Sequence, residues 1–365
     1  MDNATGVGLV RDLDSINDSM NSTENFAYES TSQTVFLLIV YGVIGTLGII
    51  GNGIVILVYI FSPSFLRNVT SSIVCNQSAI DLAMSVIFVV INLGPQLNLP
   101  SDPAFADFLC KVWLSEYAIW ALGASSTCNL VYLTIERHVA VFHPFYYRSK
   151  FTLRKARLIC VIPWIVGPIH ELGWGLTNRV INGTCTSQWP SVQMGLAIGF
   201  ISLIDHYVIP LCIMAFVYSR IICKLRHAWR KADMPRSGAR RRLVRQASRN
   251  VIITTFLVSL TYLVCWGPNE ITYFYVNMGG DVNMSGMFFR FTVVVALVNM
   301  CINPFIYAMC YKDFRRGLWL CLRRNQAHNA PSPCPSHSHD HDVISSTTQG
   351  FHDARKMPRY KKTVC

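Results

Sequence analysis

Charge is what this sequence has least of. Only 14% of its 365 residues are Asp, Glu, Lys or Arg, while 52% are hydrophobic. A water-facing surface on such a chain needs about twice that share of charge, which excludes an ordinary soluble protein. Residues 1–34 lack an apolar core, so no cleavable signal peptide is expected and the first apolar run is expected to serve as the insertion signal. Internal repeats and paired interrupted helices are missing, against a transporter. No His-x-x-His or similar grouping occurs inside the apolar runs, so no enzyme is expected.

What the chain does have is seven apolar runs, near 35–61, 70–97, 112–135, 156–176, 194–223, 250–276 and 288–311. Each is long enough to cross a bilayer, which takes roughly 20 residues. The polar segments between them are too short to wrap seven buried helices of a soluble core. Lys and Arg accumulate on the cytoplasmic side of membrane proteins. The segment after the third run carries Arg148, Lys150, Arg154, Lys155 and Arg157, and that after the fifth carries Arg240, Arg241, Arg242 and seven more. Before the first run stands only Arg11, among six acids. The expectation is a multi-pass protein of the plasma membrane, with the N-terminus outside and the C-terminus in the cytoplasm. The net charge of +12 then attracts anionic lipid at the inner face and is no sign of nucleic-acid binding.

Asn-x-Ser/Thr acceptors at Asn3, Asn17, Asn21, Asn182 and Asn283 fall in the expected outer segments, where glycosylation occurs. Asn68 on the inner side and Asn76 inside a run fit the same pattern and are expected to stay unused. Of thirteen cysteines, only Cys110 and Cys185 sit in or beside outer loops, so one disulfide is expected in the oxidising compartment. Three regions result: an outer tail at 1–34, a membrane domain at 35–322 and a disordered cytoplasmic tail at 323–365. After the last run, Phe314, Leu318 and Cys321 share one helical face, with Arg315, Arg316 and Arg323 elsewhere. That is the pattern of a short amphipathic helix on the inner membrane surface, and it makes Cys321 a palmitoylation candidate. The tail's His337–His341 run reads as solvated chain rather than a metal site.

Each run carries polar or kinking exceptions that hydrocarbon disfavours. In order they are Gly51-Asn52, Asp81, Glu136-Arg137-His138, Trp164, Pro210 with Tyr218, Cys265-Trp266-Gly267-Pro268, and Asn303-Pro304-Phe305-Ile306-Tyr307. In this order, over about 35–322, the chain resembles the rhodopsin-like (class A) G-protein-coupled receptors. It is most similar to those for neuropeptides, partly through Val139-Ala140-Val141-Phe142-His143-Pro144. The resemblance implies an all-α membrane protein, a seven-helix bundle. It also implies a receptor that binds an extracellular ligand and activates a heterotrimeric G protein by outward movement of helix 6. Arrestin and receptor kinases would act through serines and threonines of the tail.

The expected switch comprises Glu136, Arg137, Trp266, Pro268, Tyr218, Asn303, Pro304 and Tyr307. Arg137 pairs with Glu136 while the cytoplasmic cleft is closed and turns to a partner when helices 5 and 6 move. Glu136 and His138 stand where the family usually has Asp and Tyr. Ser248-Arg249 replaces the acid that holds the arginine in many relatives. Asp81, Ser126, Asn299 and Asn303 match the family's sodium pocket, a set of hard oxygen donors. The alternative is a protonated Asp81 in a hydrogen-bond network.

For the ligand, 27 positions separate Cys110 from Arg137, two more than the family's usual spacing. Counting from either end reaches Tyr117 or Ile119, neither acidic, which speaks against a monoamine. Leu297 stands where an opsin has its lysine. A bulge at Gly123-Ala124-Ser125 would absorb the extra residues. Glu270, one turn above Trp266, has Tyr273 beside it, and Glu171, Asp205 and His206 cap helices 4 and 5. Acids among aromatics suit a cationic group of a peptide; alternatively Glu270 pairs with His206. The expected ligand residues are Glu270, Tyr273, Trp266, Trp120, Tyr117, Asp205 and His206. A lipid or other small molecule is the second reading, and a transporter a remote one.

Overall fold

The chain is seen in a computed structural model that describes residues 34–62, 68–95, 97–230, 239–283, 286–310 and 312–329. Seven of its helices are long and apolar enough to cross a membrane. They are span 1 (Thr34–Phe61), span 2 (Val69–Leu93), span 3 (Tyr117–Phe142), span 4 (Leu153–Thr177), span 5 (Val192–Lys224), span 6 (Ile252–Asn277) and span 7 (Met287–Cys310). Span 3 runs seven residues past the apolar stretch read from the sequence. Hydropathy stops at Glu136, but helix formation does not depend on it, and the charged turn continues to Phe142.

Span 3 is the axis of the bundle. In its apolar window 67% of residues are buried, against 22% in spans 1, 4 and 5, which face outward. Small residues set its closest approach: a Cβ on Gly167 of span 4 would lie 2.1 Å from Ser125 Oγ. Without a hydrophobic drive between helices in lipid, such close packing is what holds them together.

The prolines free backbone carbonyls that water cannot satisfy at this depth, and neighbouring spans take them up. Pro304 releases the Met300 carbonyl, which accepts from Asn52 Nδ2 of span 1 at 2.8 Å. Pro210 releases the His206 carbonyl, which accepts from the Tyr262 hydroxyl of span 6. Just before Pro210 the helix widens into a π turn, Leu203–Val208. Near Pro268, the Tyr207 hydroxyl donates to the Leu263 carbonyl at 3.1 Å.

Between spans 4 and 5 lies a feature that the all-α reading did not include. Strands β1 (Asn178–Ile181) and β2 (Thr184–Ser187) pair antiparallel, with Val180 opposite Cys185. Their turn is Asn182-Gly183, both at positive φ (50° and 77°), the conformation a two-residue hairpin requires and Asn-Gly supplies. The Asn-Gly signal stood in the sequence, where Asn182 was read only as a glycan acceptor.

Cys110 and Cys185 form the expected disulfide, closing a 75-residue separation and tying β2 to the head of span 3. A link of that length is worth about 4 kcal/mol against the unfolded chain. Cys185→Ser is expected to lose ligand binding and most folded receptor at the cell surface, measured by surface labelling. Two free thiols by mass mapping of the native protein would overturn the pairing.

At the opposite end, a surface helix spans Lys312–Asn329, running past the expected boundary at 322. Phe314 is buried beneath it and Leu318 packs on the core, while Arg315 and Arg316 are exposed. Arg323 lies 3.6 Å over the Trp319 ring. Cys321 is half-buried on this helix. Asn182 and Asn283 are exposed. Asn76, by contrast, is bonded internally to Asn129 at 2.8 Å and Trp164 at 3.0 Å. Asn3, Asn17, Asn21, the tail beyond Asn329 and the side chains of Ser248 and Arg249 lie outside the described residues.

Candidate ligand pocket and switch

Below the hairpin, at the disulfide end, a cavity of about 430 Å³ opens between spans 3 to 7. Six of the seven expected ligand residues line it: Trp120, Asp205, His206, Trp266, Glu270 and Tyr273. Tyr117 does not. Its hydroxyl donates to the Pro168 carbonyl of span 4 at 2.7 Å.

The reason lies in how span 3 absorbs its two extra residues. No bulge forms at Gly123-Ala124-Ser125, which is regular helix. The surplus is taken up above it, in a π turn at Cys110–Leu114 and a break at Glu116 with φ 56°. Gly123 has a different use: a Cβ there would lie 2.5 Å from the Trp266 ring, so it lets that indole form the pocket floor. The left-handed break turns Tyr117 toward span 4 and delivers Glu116 to the cavity wall. Burial raises the Glu116 carboxyl above the ordinary glutamate range, opposed by the Asn92 amide.

Two histidines organise the remaining acids. His206 Nδ1 lies 2.6 Å from Glu270 Oε1, and its Nε2 lies 3.0 Å from Thr127 Oγ1, tying spans 3, 5 and 6. Of the two alternatives left open for Glu270, the structure realises the His206 pair. His170, which sequence reading did not single out, lies 2.9 Å from Glu171 and 3.0 Å from Asp205. Only the doubly protonated ring satisfies carboxylates at both nitrogens. The π turn before Pro210 is what brings Asp205 and His206 to this face together. Trp266 and Trp120 meet edge-to-face at 6.3 Å, and Trp174 and Tyr273 at 6.2 Å. Trp266 Nε1 is buried with no acceptor among the described residues.

Midway down the bundle, Asp81 is fully buried. Its carboxylate accepts from Ser126 Oγ at 3.0 Å and Asn303 Nδ2 at 2.9 Å. The same oxygens also accept from Gln77 Nε2, at 3.2 and 3.4 Å. The Asn299 and Asn303 side-chain oxygens, Oδ1, are buried and accept no hydrogen bond among the described residues. Buried acceptors left in this state are costly, and that of Asn303, whose amide nitrogen bonds the Asp81 carboxylate, suits a hard cation.

At the basic end, Arg137 Nε and Nη2 donate to Glu136, and Nη2 also donates to Thr70 Oγ1. Glu136, itself fully buried, accepts further from Thr70 Oγ1 at 3.1 Å and from the Tyr147 hydroxyl. Burial and the adjacent carboxylate push the Tyr147 hydroxyl above the usual tyrosine range, so it stays a donor. Tyr218 bonds Thr134 at 3.4 Å and Ser259 at 3.2 Å, linking spans 3, 5 and 6. Tyr307 packs against Phe314 of the surface helix, 6.5 Å between rings. Sequence reading named Glu136 and Arg137 but not their clamp, Thr70 from the distant start of span 2 and Tyr147 from the segment just after span 3.

Residues 51–307 match the family described as 7 transmembrane receptor (rhodopsin family). The chain is similar to the allatostatin-A receptor of Bombyx mori, at 29% identity over 295 residues covering 76% of each chain. It is similar to galanin receptor 2b of Danio rerio, at 26% over 333 residues, 84% of this chain and 79% of the relative. The histamine H2 receptor of Homo sapiens follows at 23% over 302 residues, 81% of this chain and 82% of the relative. The family match removes the transporter reading and agrees with the seven-span bundle. This chain therefore belongs to the rhodopsin family of seven-transmembrane receptors, which are signalling receptors rather than enzymes.

Proposed function

We propose that this receptor stands in the plasma membrane with its disulfide end outside, binds a peptide through a basic group, and activates a heterotrimeric G protein. The observation that carries the ligand class is the charge of the cavity wall. Among the described residues that line it, Glu116, Glu171, Asp205 and Glu270 share the wall with two histidines, so the wall keeps an acidic excess over an aromatic floor. A peptide's arginine, lysine or N-terminal amine matches that wall. The relatives named for allatostatin-A and galanin support a peptide. The Lys and Arg bias supports the orientation, and it puts the Arg137 clamp in the cytoplasm. Outward swing of span 6 at Pro268 would part Tyr218 from Ser259 and open that end to the G protein. Arrestin and receptor kinases would use the tail serines and threonines. Glycans at Asn182 and Asn283 suit those exposed sites, and the half-buried Cys321 on the surface helix would carry a palmitoyl chain.

Sodium fits the Asp81 pocket, with Ser126, Asn299 and Asn303 as further oxygen donors. It would supply positive charge to a carboxylate that is otherwise expensive at this depth. Asp81→Asn is expected to remove any dependence of agonist affinity on sodium; a sodium effect that survives would put the cation elsewhere.

A second reading has one specific observation behind it. Glu116 gives span 3 an acid at the pocket after all, and one relative is named for histamine; both favour a small amine. A screen of basic peptides, their charge-neutralised analogues, amines and lipids against a G-protein readout decides. Activation by a basic peptide supports the proposal. Activation by an amine or an anionic lipid alone overturns it.

A further inference from the structure

We infer that the Gln77 side-chain amide is a built-in competitor of the cation at Asp81, and that it sets how strongly this receptor responds to sodium. The inference rests on the sodium reading above and goes beyond it in naming the group that the ion must displace.

Gln77 lies one helical turn before Asp81 on span 2 and is 1% exposed. Its Nε2 donates to Asp81 Oδ1 at 3.2 Å, to Oδ2 at 3.4 Å and to Ser126 Oγ. An amide nitrogen carries two donors and no accepting lone pair. It therefore holds the carboxylate and hydroxyl lone pairs that a hard cation would need, and the two cannot share them.

The amide is not free to turn aside. Its Oε1 accepts from Asn129 Nδ2 at 2.8 Å, and Asn129 is fixed in turn. Asn129 Nδ2 also donates to the Ile73 carbonyl at 3.2 Å, and its Oδ1 accepts from Asn76 Nδ2 at 2.8 Å. Asn76 Oδ1 accepts from Trp164 Nε1 of span 4 at 3.0 Å. This chain of side chains locks the Gln77 nitrogen toward Asp81. Rotating the amide would expose its nitrogen to Asn129's donor and leave both donors facing each other.

The amide does not complete the site, however. Asn299 Oδ1 and Asn303 Oδ1 remain as buried acceptors that Gln77 leaves unsatisfied. A cation at Asp81 would gain the Asn303 oxygen, whose own amide nitrogen bonds that carboxylate. Sodium entry is thus an exchange, in which bonds from Gln77 to Asp81 and Ser126 break and bonds from the ion to these oxygens form.

The test uses purified full-length receptor in detergent and follows its thermal unfolding midpoint against NaCl, with choline chloride holding ionic strength constant. Gln77→Met keeps the volume and removes both donors. It is expected to reach half-maximal stabilisation at a sodium concentration lower than wild type by about tenfold or more, since hydrogen bonds to charged groups are among the stronger ones. Adding Asp81→Asn to that variant should erase the sodium shift. Asn129→Leu, which unlocks the amide without touching Asp81, should move the midpoint concentration the same way. It serves as the test should Gln77→Met fail to fold. Equal sodium dependence in wild type and variants would overturn Gln77 as the competitor while leaving the sodium site standing. No sodium shift in any folded variant would overturn the sodium reading as well.

Discussion

Arg137→Ala is expected to abolish G-protein activation while agonist affinity stays within a few fold, at equal surface expression. Arg137 sits at the end of span 3 away from the ligand cavity, where it touches Glu136, Thr70 and Tyr147. Removing one member of a buried ion pair usually costs 3–5 kcal/mol, because it strands the other charge. Here Glu136 would keep the Thr70 and Tyr147 hydroxyls as donors, so the variant should fold. What it loses is the guanidinium that an open cytoplasmic cleft would present to a partner. Glu136→Gln should do the reverse, loosening the clamp and raising ligand-independent signalling. A G-protein assay in membranes reads both, and unimpaired signalling by Arg137→Ala would refute the switch.

Glu270→Gln is expected to weaken a basic peptide agonist by well over tenfold. The carboxylate is nearly buried, with its side chain 8% exposed, and lies 2.6 Å from His206. Deleting one side of a desolvated charge pair costs about 2–5 kcal/mol. Two mechanisms lead to a loss, and the ligand's charge separates them. If the peptide's basic group engages Glu270, an analogue with that group neutralised should be spared. Equal loss for both ligands would make Glu270 a structural partner of His206, and would move the anionic contact to Glu116 or Asp205. Asp205 is the most accessible of the three His-bonded acids, its side chain 42% exposed. Competition binding with the paired ligands on membranes of wild type and variant gives the answer.

The sequence by itself determined the bundle, because each span had to satisfy a local requirement. A run of apolar residues long enough for hydrocarbon can be recognised without knowing its neighbours. Polar exceptions such as Asp81, Arg137 and Pro268 are legible for the same reason, since each is costly wherever it sits in a membrane. The disulfide was legible through compartment alone, with two cysteines in outer segments.

Only the tertiary structure decided which of those exceptions meet. Tyr117 and Glu116 are adjacent, yet the left-handed break at Glu116 sends one to span 4 and the other into the cavity. No periodicity argument could place that break, because a helix start is set by how its preceding turn is held, here by the disulfide and the Trp174 bond to the Ser115 carbonyl at 2.9 Å. The same holds for the clamp on Arg137 and for the meeting of the Gln77 amide with Ser126. These contacts join residues up to 67 positions apart, and a buried polar group takes whichever partner the packing of helices brings within about 3 Å. Hydrocarbon fixes which segments become helices; the close packing of those helices around span 3 fixes which polar groups face each other.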